Sequence, residues 1–224
     1  MRSVFFLVFL FQFRTLRSAF FLLSLLLGGL LPSPVFGGSG ELRAAFQTIR
    51  PTTVWPVTGT TFDAIESTFG PRIQASTGLY DWHRGIDIDA PEGTPVLAVT
   101  DGVLWNVTTY PDGGLTIILR HAFPSPVPYA GLNLSWYYTL YMHLSSVEAN
   151  LVTAASAGQH PVVAAGTQIG TVGHSGTAIG DHLHLELRVG TQCSLEYQLN
   201  NPTSSKSCFL MSRAAPGMIS LSTV

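Results

Sequence analysis

The sequence predicts a mainly β domain, and three observations favour that class over a helical one. Glycine and proline are plentiful, with 22 and 14 copies among 224 residues, which is typical of a chain rich in turns. Short apolar runs rich in β-branched and aromatic residues alternate with those turn residues. Beyond residue 36, no long stretch shows the 3.6-residue period of an amphipathic helix. The length suffices for one domain with a sizeable core.

An apolar leader opens the chain. Residues 1–36 contain three arginines and no acid, and the apolar run Ala19 to Leu31 follows the basic residues. Its length fits the hydrophobic region of a secretory signal and is short for a membrane span. We therefore predict a signal peptide or N-terminal anchor over residues 1–37, with organelle targeting as a third alternative and membrane attachment only through residues 1–31. The predicted location is secreted, periplasmic or at the cell surface.

After the leader, residues 38–53 are interpreted as a linker, and the domain is predicted over residues 54–192. Its strands are expected where apolar runs are bounded by turn residues. The predicted strands are 94–99, 102–107, 115–120, 136–144, 168–172 and 183–189. A short helix is predicted within 144–157. Residues 121–136 contain three prolines and predict an enlarged loop between two strands.

The last segment, residues 193–224, is predicted to be a C-terminal tail. It carries the two cysteines of the chain, Cys193 and Cys208. In an exported protein such a pair suggests one disulfide, which would stabilise the fold by about 3 kcal/mol in the chain-entropy picture. Two reduced thiols are the alternative in a cytosolic protein. The C-x-x-C spacing of a zinc–thiolate site is absent from the sequence.

The charge balance excludes two classes of protein. Eleven basic residues stand against 13 acids, and Lys206 is the single lysine, so no broad basic field is available for nucleic acid. Charged residues make up only 11% of the chain, which excludes a highly charged disordered protein. We expect a monomer without a nucleic-acid partner.

Two groups of histidines are candidates for chemistry. The motif HLH places His182 and His184 inside a strand-like run, and residues i and i+2 of a strand share one face. One imidazole can therefore bind a metal ion while the other lines its open position. The spacing leaves open which of the two is the ligand. Of the remaining histidines, His121 is predicted to be structural, and His160 and His174 are predicted to lie on the surface.

The second group consists of His83 and Asp87 in the motif HRGID. In a fully extended strand these residues would be about 13 Å apart, so the backbone must bend for both to bind one ion, and Gly85 permits a bend. This pair and one strand histidine would give three protein ligands with a free fourth position, which is typical of catalytic zinc sites. Asp89 is an alternative carboxylate. Each pattern alone is also typical of solvated strand or turn residues.

Taken together, three motifs resemble those of the lysostaphin-type zinc metallopeptidases. The first motif is 80–96 (YDWHRGIDIDAPEGTPV), the second is 140–145 (LYMHLS), and the closing motif consists of 166–173 (GTQIGTVG) and 180–186 (GDHLHLE). The preceding residues 68–72 (TFGPR) fit the family's opening turn. The similarity covers about residues 54–190, and the order and spacing of separate motifs make it specific.

The resemblance implies a fold, a metal site and an activity. The implied fold is an antiparallel β-sandwich of the duplicated-hybrid-motif kind, with a groove over one sheet. The resemblance implies Zn²⁺ bound by His83, Asp87 and His184. It implies that His143 and His182 stay off the metal and act as general base and oxyanion stabiliser, in either order. The implied activity is hydrolysis of peptide bonds in peptidoglycan stem peptides or cross-bridges.

Two other functions compete with this one. A catalytically silent binding or regulatory module of the same fold usually lacks a ligand or a flanking histidine, and all five positions are occupied here. A secreted protease acting on Gly-rich proteins would keep the chemistry and change the substrate, because a groove over a sheet suits an extended peptide. The expected partner is therefore peptidoglycan or another extended peptide.

Overall fold

The computed structural model describes residues 39–74, 77–129 and 132–189. The predictions for the leader, the C-terminal tail and the cysteine pair lie outside these residues. The described helices are α1 (Ser39–Ile49) and α2 (Ala149–Ser156), with 3₁₀ turns at Arg50–Thr52 and Phe62–Ala64. The described strands are β1 (Ile65–Ser67), β2 (Gly70–Ile73), β3 (Tyr80–His83), β4 (Ile86–Asp89), β5 (Pro95–Leu97), β6 (Gly102–Tyr110), β7 (Gly114–Tyr129), β8 (Leu132–Leu144), β9 (Ser146–Val147), β10 (Val162–Val163), β11 (Gln168–Thr171) and β12 (His182–Val189).

These strands form three antiparallel sheets. The largest has seven strands in the order β1-β4-β12-β8-β7-β6-β10, and the smaller ones have the orders β5-β11-β9 and β2-β3. The predicted mainly β, antiparallel class is confirmed, and each of the six predicted strands overlaps an observed one. The predicted short helix is α2. Within the described residues, neither helix is both long and apolar enough to cross a bilayer.

The main core lies between the seven-stranded and the three-stranded sheet. Ile88 and Leu183 of the large sheet are fully buried together with Val96 and Ile169 of the small one. Side chains of a strand alternate between its two faces. Ile86 and Ile88 of β4 and Leu183 and Leu185 of β12 therefore lie in this core, and the polar residues between them, including His184, lie on the opposite face of the large sheet.

The segment predicted as a linker, residues 38–53, is instead mostly helical. The helix α1 carries an apolar stripe at positions 42, 45, 46 and 49, which is the spacing of one helix face. Leu42 and Phe46 are buried against the large sheet, and the Phe46 ring meets those of Phe123 and Tyr137 at centroid distances of 5.4 and 5.2 Å. A second, smaller core thus binds this segment to the domain.

The enlarged loop predicted over 121–136 is also wrong, because most of it continues the hairpin of β7 and β8. The strands stay paired out to Tyr129 and Leu132, with one register shift between Ala122 and Val127. Pro124 and Pro126 lie in the bulge between Ala122 and Val127, where β7 has no residue-by-residue pairing with β8, so their missing N–H groups are tolerated. The pairing of β7 with β6 ends at Arg120.

His121 is a buried structural residue, as predicted. Its Nδ1 donates to the carbonyl of Asp101 at 2.8 Å, and its Nε2 accepts from the Thr139 hydroxyl at 2.8 Å. The ring stacks on Tyr137 with a centroid distance of 4.7 Å. Burial lowers the pKa of His121 from 6.5 to about 4, although the Asp101 carbonyl acts in the opposite direction. The imidazole is therefore neutral in the folded protein at neutral pH.

This neutral histidine is expected to make stability depend on pH. Above about pH 6.5 the imidazole of His121 is neutral in both the folded and the unfolded state. Between about pH 6.5 and pH 4 it takes up a proton in the unfolded state but not in the folded one. The free energy of unfolding therefore falls by up to roughly 3 kcal/mol as the pH is lowered to 4. His121→Gln removes this contribution. Urea unfolding of the metal-free proteins at several pH values should show the stability gap between wild type and variant narrowing as the pH falls. A gap independent of pH would contradict the assignment.

Candidate metal centre and active site

Three predicted ligands converge on one point at the polar face of the large sheet. His83 Nε2 lies 3.1 Å from Asp87 Oδ1 and 3.0 Å from His184 Nδ1, and the latter two atoms are 2.7 Å apart. All three side chains are buried. An ion about 2.0–2.1 Å from each atom in tetrahedral geometry needs ligand atoms about 3.3 Å apart, so the cluster matches a three-ligand site after a small expansion.

Strand pairing brings two of these ligands together. Asp87 of β4 lies directly opposite His184 of β12, so both side chains point to the same face at close range. His83 ends β3 and reaches the same point across the turn at Gly85. A side-chain carbon at position 85 would lie 2.3 Å from the carbonyl oxygen of Leu185 and 2.9 Å from Nε2 of His184. Glycine is therefore needed at position 85 because the turn passes close to β12.

Hydrogen bonds on the outer side of each ligand direct its lone pair inward. His83 Nδ1 donates to the carbonyl of Thr68 at 2.9 Å, so Nε2 is the nitrogen that faces the cluster and would give up its proton to a bound cation. His184 Nε2 faces Glu186 Oε1 at 3.2 Å, so Nδ1 faces the cluster in the same way. The second oxygen of Asp87 accepts from Arg72 Nη1 at 3.0 Å. Two imidazole lone pairs and one carboxylate oxygen thus converge, and this donor set fits a divalent cation such as zinc.

The charges of the metal-free cluster support the same interpretation. Burial raises the pKa of Asp87, but hydrogen bonds from His184 and His83 outweigh it and hold that pKa well below its usual range. Burial lowers the pKa of His184, but the carboxylates of Asp87 and Glu186 raise it to about 9. Burial raises the pKa of Glu186, but the charges and hydrogen bonds of Arg188 and His184 outweigh it and lower that pKa to about 2. The site therefore favours positive charge at its centre.

The two predicted catalytic histidines lie beside this cluster. The rings of His143 and His182 are 4.9 Å apart at their centroids, and His182 Nε2 lies 3.7 Å from Asp87 Oδ1. Each Nδ1 faces a backbone carbonyl, that of Ser175 at 2.8 Å for His143 and that of Gly180 at 3.2 Å for His182. Burial, together with the neighbouring histidines, lowers the pKa of His143 to about 4. A neutral His143 with an unprotonated Nε2 can accept a proton.

The backbone of His143 is held in a strained conformation. Its φ of 61° lies in the left-handed region, which non-glycine residues rarely adopt. The His143 N–H donates to the carbonyl of Gly113 at 2.8 Å, and Ser175 fixes the ring through its own carbonyl. Ser175 is held in turn, because its hydroxyl donates to the carbonyl of Leu144 and accepts from the N–H of Leu115, both at 2.8 Å.

The structure thus brings all five predicted site residues together, and it adds outer contacts that the sequence analysis did not identify. These come from Arg72, Thr68, Ser175, Glu186 and Arg188. A signal for two of them was available, since Glu186 and Arg188 alternate with apolar residues on β12 in phase with His184. Of the other histidines, His160 and His174 are exposed, as predicted.

Comparison with known proteins identifies relatives of this site. The sequence matches Peptidase family M23 over residues 81–195, about half of the chain, and this range contains all five site residues. The chain is 34% identical over 134 residues to the DD-carboxypeptidase/endopeptidase Mpg of Neisseria meningitidis serogroup B. It is 33% identical over 129 residues to the peptidoglycan DD-endopeptidase ShyC of Vibrio cholerae. These matches cover 58% and 57% of this chain and 26% and 25% of those proteins.

Solved structures are similar over comparable lengths. A variant of the catalytic domain of the prophage-encoded M23 protein EnpA from Enterococcus faecalis is 30% identical, with a TM-score of 0.44, over 61% of this chain and 87% of that one. The catalytic domain of lysostaphin from Staphylococcus simulans is 27% identical, with a TM-score of 0.41, over 55% of this chain and 77% of that domain. The chain spans about a quarter of the length of its curated relatives. By its match over half its length, this chain belongs to Peptidase family M23.

Proposed function

We propose that this protein is an exported zinc metalloendopeptidase that hydrolyses peptide bonds in peptidoglycan stem peptides or cross-bridges. One observation carries the proposal. The ligand atoms of His83, Asp87 and His184 converge within 3.1 Å of one another, with His143 and His182 beside them. Three protein ligands with room for a fourth are typical of a catalytic site rather than a structural one.

The roles of the protein's own residues follow from their hydrogen bonds. When bound, a zinc ion would lower the pKa of water and polarise the substrate carbonyl. His143, neutral and held by Ser175, is placed to accept a proton at Nε2 and pass it to the leaving amine. His182 presents its Nε2 to the same volume and is assigned the stabilisation of the oxyanion, for which Nε2 must carry a proton, since Nδ1 faces the carbonyl of Gly180. Arg72 and Thr68 keep the side chains of Asp87 and His83 oriented.

The proposed substrate rests on the family and on the named activities of its members. Mpg and ShyC carry endopeptidase names, and ShyC is named for peptidoglycan. Because peptidoglycan lies outside the cytoplasmic membrane, action there agrees with the secretory signal predicted from the leader. We therefore place the activity in the periplasm, at the cell surface or in the medium.

The test is to incubate the purified protein with peptidoglycan sacculi of several cross-bridge types and to identify new amino termini by mass spectrometry. A chelated sample and a His182→Ala sample serve as controls. Cleavage that disappears in both controls is the expected result, and the new termini identify the bond. Absence of cleavage by a protein that holds one zinc ion per chain would contradict the proposal. That outcome would favour the silent binding module or the protease of Gly-rich proteins.

A further inference from the structure

The contact that distinguishes His184 from the other two ligands is a buried carboxylate. His83 has a backbone carbonyl behind it, and Asp87 has the guanidinium of Arg72. His184 alone has a carboxylate, since its Nε2 lies 3.2 Å from Glu186 Oε1. Glu186 is 3% exposed. A carboxylate behind a ligating imidazole fixes the ring orientation and makes the imidazole a stronger metal ligand.

The arrangement is built along a single strand. His184, Glu186 and Arg188 are two residues apart on β12, so their side chains point to the same face. Arg188 contacts Glu186 Oε2 through both Nε and Nη2, whereas Oε1 faces His184. The two oxygens of Glu186 therefore have separate partners, and the guanidinium offsets the cost of burying the carboxylate.

We propose that Glu186 is a positioning residue that orients His184 for metal binding, and that Arg188 holds Glu186 in place for this task. The inference rests on the metal site of the proposed function. Glu186 touches neither substrate nor ion in this assignment. Its effect is exerted through His184, and it is seen first in how tightly the protein holds zinc.

The decisive measurement is zinc affinity, determined by competition with a chromophoric chelator on the full protein. Glu186→Gln keeps the size of the side chain and removes its charge, and it should weaken zinc binding 10- to 100-fold. The matched control is Glu148→Gln. Glu148 accepts a hydrogen bond from the side chain of Gln168 at 2.7 Å and contacts none of the metal ligands, so its substitution should leave the affinity within about twofold.

A double variant separates positioning from simple charge balance. Glu186→Gln alone leaves the Arg188 guanidinium without its carboxylate, which disfavours a nearby cation and destabilises the fold. Glu186→Gln combined with Arg188→Gln removes both charges. The double variant should still bind zinc at least about tenfold more weakly than wild type, because the charged hydrogen bond to His184 is still missing. Circular dichroism of the metal-free protein verifies its fold.

Two outcomes would overturn the inference. Zinc affinity of the folded double variant within twofold of wild type would show that Glu186 and Arg188 form only a structural ion pair. If the Glu148→Gln control lost as much zinc affinity as the Glu186 variants, the effect would be a general one of removing acidic residues. Neither result bears on whether the wild-type protein binds zinc or cleaves peptidoglycan. A wild-type protein without zinc affinity would instead overturn the proposed function, and this inference with it.

Discussion

Replacing His184 with alanine is expected to abolish zinc binding at micromolar metal. Structural zinc sites with four ligands bind with about 10–16 kcal/mol, so one ligand contributes about 3 kcal/mol and its loss weakens binding by more than about a hundredfold. Within the cluster, His184 contacts both other predicted ligands, His83 and Asp87, and on its outer side it contacts Glu186. Metal content after dialysis, measured by atomic emission, tests the prediction.

The comparison variant is His182→Ala, which removes a histidine two residues away on the same strand face. Because His182 lies beside the cluster and is not one of the three convergent ligands, its loss should leave zinc content near one ion per chain. Zinc retained by His184→Ala and lost by His182→Ala would reverse the assignment of ligand and catalytic residue.

The second large effect is expected on turnover. His143→Asn should lower kcat/KM by a factor of about 10²–10⁴, the usual contribution of a general base, with zinc content unchanged. Asparagine is chosen because it tolerates the left-handed backbone of position 143 better than alanine. His182→Ala should lose activity on a similar scale for lack of oxyanion stabilisation. Rates on cross-linked muropeptides, normalised to bound zinc, provide the measurement.

A matched control is available at His160. This histidine is exposed, stacks on Trp105 and lies 2.9 Å from the carbonyl of Leu104 through Nδ1, and no described contact joins it to the five site residues. His160→Ala should therefore keep full activity. If His143→Asn and His182→Ala were as active as His160→Ala, neither His143 nor His182 would be a catalytic residue.

The errors in the sequence analysis have local physical causes. The apolar stripe of α1 was present in the sequence, but a helix of 11 residues carries too little signal by itself and is stabilised by packing of Phe46 on Tyr137. The prolines beyond His121 indicated a loop. Pro124 and Pro126 are accommodated because they lie in the bulge between Ala122 and Val127, and the pairing of β7 with β6 ends before them at Arg120. Neither circumstance is visible without the neighbouring strands.

The sequence by itself determined the β class and the family resemblance, because alternation along strands and motif spacing are local properties of the chain, and the resemblance supplied the five predicted site residues. The choice between His182 and His184 came from the resemblance and not from spacing, since both lie on the same face of β12. Tertiary structure alone decided the outer contacts. Arg72 is 15 residues from Asp87, and Ser175 is 32 residues from His143. The members of such pairs are distant in sequence, and they come into contact only when the strands pair and the sheets and loops pack.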